Sequence, residues 1–345
     1  MDLNIALILG QDGITSGAIY ALLALCILLV FTVTRILLIP LGEFSVYGAL
    51  TLASIQAGQP SNVIWLLVAL FITNALLDVY VSVKTGSAFN IKATVIWAIY
   101  IAVVAIALLM MPLATLPAVL QVLLALAVIT PLGPQIYQFF FQPLVAAKPL
   151  VLLIVSIAAH VALVGIGLLL FGPNGAQTKP FSDASFELGV LNINSQTLYI
   201  LFAFFLMIAV LWYFFGKTLY GKALRATAVN RVGAQLMGIS PIFAGKITFA
   251  MAAFMGALAG ILMAPITTLY YDSGFLISLK GFVGAIIGGL VSFPIAAAGS
   301  VVVGVIESFS MFWASDYKEI IVFTLIIPFL LWKSLTSRQV EEDHE

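Results

Sequence analysis

Gly13-Ile-Thr-Ser-Gly-Ala-Ile-Tyr-Ala-Leu-Leu-Ala-Leu-Cys-Ile-Leu-Leu-Val-Phe-Thr-Val-Thr34 carries no charged residue and closes against Arg35. A run of ~20 apolar residues is the length an α-helix needs to cross ~30 Å of hydrocarbon. Strands of a membrane barrel would instead show short segments alternating apolar with polar positions. The run is apolar on all sides, and a helix satisfies its own backbone without water, so residues 13–34 read as a membrane helix.

Runs of the same kind recur on either side of Gly58-Gln59-Pro60, at 36–57 and 62–82, and again at 91–111 and 114–131. Pro131-Leu132-Gly133-Pro134 reads as a helix breaker, with 135–148 as an interfacial connection. Further runs follow at 149–171, 197–215 and 247–269, and a last one at 319–335. Two shorter pieces, 281–293 and 295–311, are split at Phe293-Pro294. The chain is 63% apolar and 8% charged, against about a quarter charged in a soluble domain. It lacks the polar surface to coat a water-soluble core. The fold class is therefore all-α, a polytopic transmembrane helix bundle of about 8–11 spans, some short or broken, with residues 1–345 forming a single membrane domain.

Chemistry-bearing residues are few. Cys26 is the single cysteine, which excludes an internal disulfide and a cysteine metal site. There are two histidines, and no Cys, His or paired-acid cluster that would hold a metal or run acid–base catalysis. No catalytic residue, metal or cofactor is expected. Residues 1–12 lack the basic start of a cleavable signal, so the first helix is expected to stay in the protein.

The net charge is zero, and no nucleic acid is expected as a partner. The distribution of charge assigns sides by the excess of Lys and Arg in cytoplasmic loops. Lys217, Lys222, Arg225 and Arg231 fall in the loop 216–245, with Lys246 at its end. Placing that loop in the cytoplasm puts Arg35, Lys84, Lys92, Lys148, Lys333 and Arg338 there too. The polar stretch 172–196, with Lys179, Asp183 and Glu187, then lies outside with the N-terminus, and the C-terminus lies inside.

Within the basic loop, Gly221-Lys-Ala-Leu-Arg-Ala-Thr-Ala-Val-Asn-Arg-Val-Gly-Ala-Gln-Leu-Met-Gly-Ile-Ser-Pro241 reads as a short amphipathic helix closed by Gly238. Such a helix fits a groove on another protein, or lies on anionic membrane lipid through its basic side chains. The segment resembles the coupling segment of ATP-binding-cassette importer permeases, specifically the branched-chain amino acid family. Gly221, Lys222, Arg225, Ala226, Ala228, Asn230, Ala234, Leu236, Gly238 and Ile239 carry the likeness. Gly13 to Leu25, Gln142-Pro-Leu-Val-Ala-Ala-Lys-Pro-Leu150 with Phe171-Gly-Pro173, the stretch from Gly281 to Pro294, and Tyr317-Lys318 are similar to further family segments in the same order. The match is weak between about 60 and 135.

The resemblance implies an ABC importer permease fold in the bacterial inner membrane. It also implies a second permease subunit, two ATPase subunits gripping the 216–245 loop, and a periplasmic substrate-binding protein. No Gly-x-x-x-x-Gly-Lys-Ser/Thr loop is present, so ATP hydrolysis would belong to the partners. Relatives carry aliphatic amino acids, urea and other small solutes. A secondary transporter or channel is the competing class, but it would show duplicated broken helices, several midplane carboxylates or a filter sequence.

Charge at bilayer depth is costly and points to function. Glu43 lies in Ile39-Pro-Leu-Gly-Glu-Phe-Ser-Val-Tyr47, where Pro40 and Gly42 loosen the helix. The family keeps Gly42 and Glu43 but carries polar residues at the positions of Ile39, Pro40 and Leu41. Gly42, Glu43, Glu307, Gly288, Gly289 and Pro294 are the translocation-pathway candidates. Against that role, Glu43 would pair with Arg35, Glu307 with a lysine such as Lys318, and the glycines would serve helix packing. His160 is expected to hydrogen-bond between helices. Asn74, Asp78, Lys246 and Lys280 are expected near helix ends, and Trp65, Trp97, Trp212, Trp313 and Trp332 in an aromatic belt.

Overall fold

The computed structural model describes residues 3–86, 91–145, 147–182, 184–188 and 191–336. Asp183, Arg338 and the charged tail 339–345 lie outside them. The chain is a multi-pass helical bundle with eight helices long and apolar enough to span a bilayer among the described residues. In chain order the helices are α1 (Leu3–Thr34), α2 (Leu41–Gln56), α3 (Val63–Thr85), α4 (Ile91–Met110), α5 (Ala118–Ile129), α6 (Leu132–Ile136) and α7 (Pro149–Phe171). A hairpin of β1 (Ser185–Leu188) and β2 (Leu191–Asn194) follows. The rest comprises α8 (Ser195–Lys217), α9 (Leu219–Val229), α10 (Arg231–Leu236), α11 (Pro241–Met263), α12 (Gly274–Ile287), α13 (Phe293–Trp313), α14 (Lys318–Thr324) and α15 (Ile326–Thr336).

Helix α1 is the central pillar. It packs on α8, α11, α12 and α13, and every residue from Gly17 to Val30 is buried. Glycines make the closest of these contacts. A methyl group on Gly13 or Gly17 would come within 2.5 and 2.6 Å of the α-carbons of Val305 and Val301 on α13. Backbone-to-backbone packing of this kind substitutes for the hydrophobic drive that is absent in lipid. Helix α4 has no glycine, and only 17% of its most apolar window is buried, against 83% for α1.

The two ends of the bundle are marked by hydrogen bonds between loops. At one end Gln11 donates to the Asn192 carbonyl (3.1 Å), Asn62 donates to the Leu170 carbonyl (3.1 Å), and Gln56 accepts from the Lys179 amide (2.9 Å). Ala176 bridges to Leu269 there as well. At the other end Arg35 donates to the Ala228 carbonyl (3.5 Å) and Arg231 to the Val145 carbonyl (3.2 Å). Lys84, Lys148, Lys217, Lys222, Arg225 and Lys246 belong to the helix ends and loop of this Arg35 end. Trp65, Trp212 and Trp313 are exposed near the ends of their helices.

Two elements depart from regular spans. Residues 35–40 return into the bundle without helical structure before α2 begins. Ser156 of α7 stitches them, donating to the Leu37 carbonyl (2.6 Å) and accepting from the Ile39 amide (3.0 Å). Irregular backbone at membrane depth is tolerated where protein satisfies it in this way. The second departure is the α12–α13 hairpin, whose break spans residues 288–292, with Gly289 and Leu290 at φ 65° and 56°. Pro294 sits in the first turn of α13, so the expected split at Phe293-Pro294 is a helix start, and the glycines make the turn. Since Gly17 faces Val301, α13 begins level with about Leu25, roughly 13 Å short of the end of α1 at 1.5 Å per residue.

Pro131 and Pro134 do not end a span. Helical structure continues from Ala118 to Leu144 through a π-helical turn at Tyr137–Phe141. Gly133 in that stretch presses on the Phe249 carbonyl of α11, where any side chain would overlap, and Leu132 to Tyr137 are buried. Packing against α11 holds the segment in the core despite its two prolines.

Candidate functional site

Three sites emerge: two buried charge clusters and one exposed surface. The first lies where α2 begins. Glu43 is 1% exposed, and its Oε1 lies 2.9 Å from Nδ1 of His160, halfway along α7. Arg35 is not its partner, because the 35–40 segment carries Glu43 inward from the Arg35 end. The His160 ring leans on Phe275 (5.1 Å between centroids), and Tyr47 one turn along α2 donates to the Leu163 carbonyl (2.6 Å). Glu43 Oε2 and Ser45 Oγ are buried without a protein partner. Gly42 allows this convergence, since a methyl group there would overlap the Gly274 carbonyl at the start of α12.

The second cluster ties the hairpin to the last helix pair. Lys280 on α12 reaches Glu307 on α13 at 2.5 Å and Glu319 on α14 at 3.1 Å, and its ammonium lies 5.6 Å from the centre of the Tyr20 ring of α1. Lys280 and Glu307 are buried, whereas the Glu319 side chain is 33% exposed. Lys280 is thus a core residue and not a helix-end anchor, and the lysine that meets Glu307 is Lys280 and not Lys318. Charge pairing across three helices stabilises a cation that lipid would reject. Gly288, close to Ala296, and Gly289 shape the turn below it.

Polar residues form a smaller network, in which Asp78 and Lys246 lie toward helix ends, whereas Asn74, expected at a helix end, is buried at the middle of α3. Asn74 donates to the Gln135 side chain (2.6 Å), Gln138 donates to Asp78 (2.9 Å), and Lys246 donates to Gln138 (2.7 Å). Gln135 and Gln138 fall in the segment expected to be an interfacial connection, which is why sequence inspection missed them.

The third site is the surface formed by α9 and α10. One amphipathic helix was expected over 221–238, but Asn230 splits it in two. Asn230 caps α10 by accepting from the Gly233 amide (2.8 Å), as Thr218 caps α9 at Gly221 (3.0 Å). Gly238 closes α10 with φ 82°. The motif residues divide by what they touch. Gly221 packs against the Phe214 backbone, Leu224 and Thr227 bury one stripe of α9, and Ala234 is buried under α10. Lys222, Arg225, Ala226 and Leu236 point outward together with Val229 and Met237. Leu236, Val229 and Met237 are 84%, 88% and 83% exposed, an apolar patch set among cations.

Beneath the α12–α13 turn lies a cavity of about 890 Å3, bounded by α1, α8, α9 and α13. Pro294 lines it, whereas Glu43 and Glu307 do not.

A multi-pass bundle with paired charges inside it and an exposed helical pair at one end suits a membrane transport protein. The family profile described as branched-chain amino acid transport system, permease component, matches residues 11–330, and the chain belongs to that family. Among its relatives, the high-affinity branched-chain amino acid transport system permease protein BraD of Pseudomonas aeruginosa is 28% identical over 244 residues, covering 68% of this chain and 80% of its own. The corresponding LivH of Escherichia coli is 27% identical over 214 residues, 60% of this chain and 70% of its own. LivH of Salmonella typhimurium is 34% identical over a shorter 129 residues, 37% of this chain and 42% of its own. No solved structure matches the chain.

Proposed function

We propose that this chain is the non-catalytic permease subunit of an ATP-binding-cassette importer for branched-chain or related amino acids in a bacterial inner membrane. The observation that carries the proposal is the division of the 221–238 motif into residues that shape α9 and α10 and residues that present a surface. A helical pair held by two caps, showing Lys222, Arg225, Ala226 and Leu236, suits a partner that pushes on it. The partners are two ATPase subunits at this surface, a second permease chain, and a substrate-binding protein at the opposite end. The Arg35 end is then cytoplasmic, in keeping with its cations. The N-terminus and the β-hairpin face the periplasm, and the C-terminus lies in the cytoplasm. Residues 216–245 are the coupling loop of one permease domain.

Gly42, Glu43, Gly288, Gly289, Pro294 and Glu307 all fall on or beside the two interrupted elements, α2 and the α12–α13 hairpin. We assign the moving parts of the pathway to these elements, because discontinuous helices are where transport folds concentrate their sites. The relatives' names support branched-chain amino acids as substrate.

Co-purification of the ATPase subunits with the chain tests the coupling surface. Altering Arg225, Ala226 and Gly238 together is expected to abolish it, and ATPase retention would overturn the assignment. Glu43→Gln and Glu307→Gln are expected to lower leucine uptake by assembled complexes; unchanged uptake in both would remove the pathway role. A transporter class that works without ATP would show uptake driven by an ion gradient in vesicles lacking nucleotide.

A further inference from the structure

The cavity under the α12–α13 turn is almost wholly apolar, and apart from Arg225 and Pro294 its lining side chains carry none of the assigned transport roles. Its volume of about 890 Å3 lies within the ~300–1,000 Å3 of ligand sites. Its wall is formed by Leu25 and Leu29 of α1, Phe205 and Trp212 of α8, and Ala297 and Ala298 of α13. Apart from the Trp212 indole, polar side-chain atoms come only from Thr32 and Arg225. The Thr32 hydroxyl is already donated to the Leu28 carbonyl (2.6 Å). Arg225 is exposed and forms no ion pair with any described residue. Lys222 is one turn before it on α9, and Lys217 follows the cavity-lining Gly216. Trp212 and Phe205 are 72% and 64% exposed, so the cavity opens sideways out of the bundle. It is therefore an apolar slot with Arg225 at its rim and two further exposed lysines, Lys217 and Lys222, close by in the chain.

We propose that this slot binds an anionic phospholipid, its acyl chain lying under the hairpin turn and its phosphate held by Arg225 with Lys217 and Lys222. The charge complementarity selects this occupant: a neutral apolar helix from a partner would leave the Arg225 guanidinium at the slot's rim unanswered, while an anionic headgroup meets it at the membrane surface. Such a lipid fills the roughly 13 Å by which α13 stops short of α1. It touches α9 below and α13 above, so it is a packed part of the path between them.

Native mass spectrometry of the assembled complex, extracted in mild detergent from membranes holding both phosphatidylglycerol and phosphatidylethanolamine, tests the assignment. The expected result is retained phosphatidylglycerol, lost in Ala298→Trp, which fills the slot, and weakened about fivefold in Lys217→Gln by removal of one cation near the surface. Retention of phosphatidylethanolamine in equal amount, or of phosphatidylglycerol in Ala298→Trp, would overturn it. If Ala298→Trp does not fold, a variant keeping Trp212 as its only tryptophan gives a second measurement in vesicles. Brominated phosphatidylglycerol should quench Trp212 more strongly than brominated phosphatidylethanolamine at equal mole fraction, and equal quenching would refute the site. A cross-link from Ala298→Cys to the second permease chain in high yield would show the slot filled by protein, and would also refute it.

Discussion

The two buried charge clusters differ in stoichiometry. At the start of α2 one carboxylate meets one imidazole, Glu43 with His160. Across α12, α13 and α14 one ammonium meets two carboxylates, Lys280 with Glu307 and Glu319. The first site is balanced and joins two helices, while the second has an acid in excess and joins three. In a low-dielectric setting, the cost of losing a group depends on what it leaves behind more than on the contact itself. For stability the lysine is thus the critical member of its cluster, and losing either acid beside it costs less.

The largest effect should come from Lys280→Met, which leaves two carboxylates facing each other and should cost about 3–5 kcal/mol, seen as loss of the thermal transition in detergent. A loss no greater than that of Glu307→Gln would break the distinction between the sites. Next is His160→Phe, which strands the buried Glu43 carboxylate at a cost of about 1–3 kcal/mol. Glu43→Gln should cost less, about 1 kcal/mol, because an amide still hydrogen-bonds the imidazole; thermal denaturation of the pair of variants measures the difference. Smallest is Glu319→Gln at about 0–1 kcal/mol, since its side chain is partly exposed and the Lys280–Glu307 pair remains. A Glu319→Gln loss exceeding that of His160→Phe would mean that α14 depends on this contact far more than its exposure indicates.

How much of this was legible in the sequence varies with the range of the interaction. Helical class follows from local runs of residues, and the structure agrees with it; its eight long apolar helices fall at the low end of the expected range of about 8–11 spans. Which helix is central does not follow from apolarity, because α1 and α4 both carry long uncharged apolar runs; glycines at 13 and 17 mark α1 instead. Pro131 and Pro134 misled because the contact of Gly133 with Phe249, which holds that segment in the core, comes from a distant helix. The charge clusters were only half visible. Glu43 and Glu307 stood out as charges in apolar runs, but their partners lie 117 and 27 residues away. The coupling motif was legible as a pattern, whereas its division into shaping and presenting residues required the turn at Asn230.

The stitch between Ser156 and residues 37 and 39 has a consequence for biogenesis. The backbone of 35–40 cannot satisfy itself as a helix would, and its partner is encoded 119 residues later. At about 5–20 residues per second, Ser156 leaves the ribosome on the order of 10 s after Leu37. Until then the α2 region lacks its native partner for that backbone. The stitch that fixes the entry to α2 therefore closes only after α7 has been made.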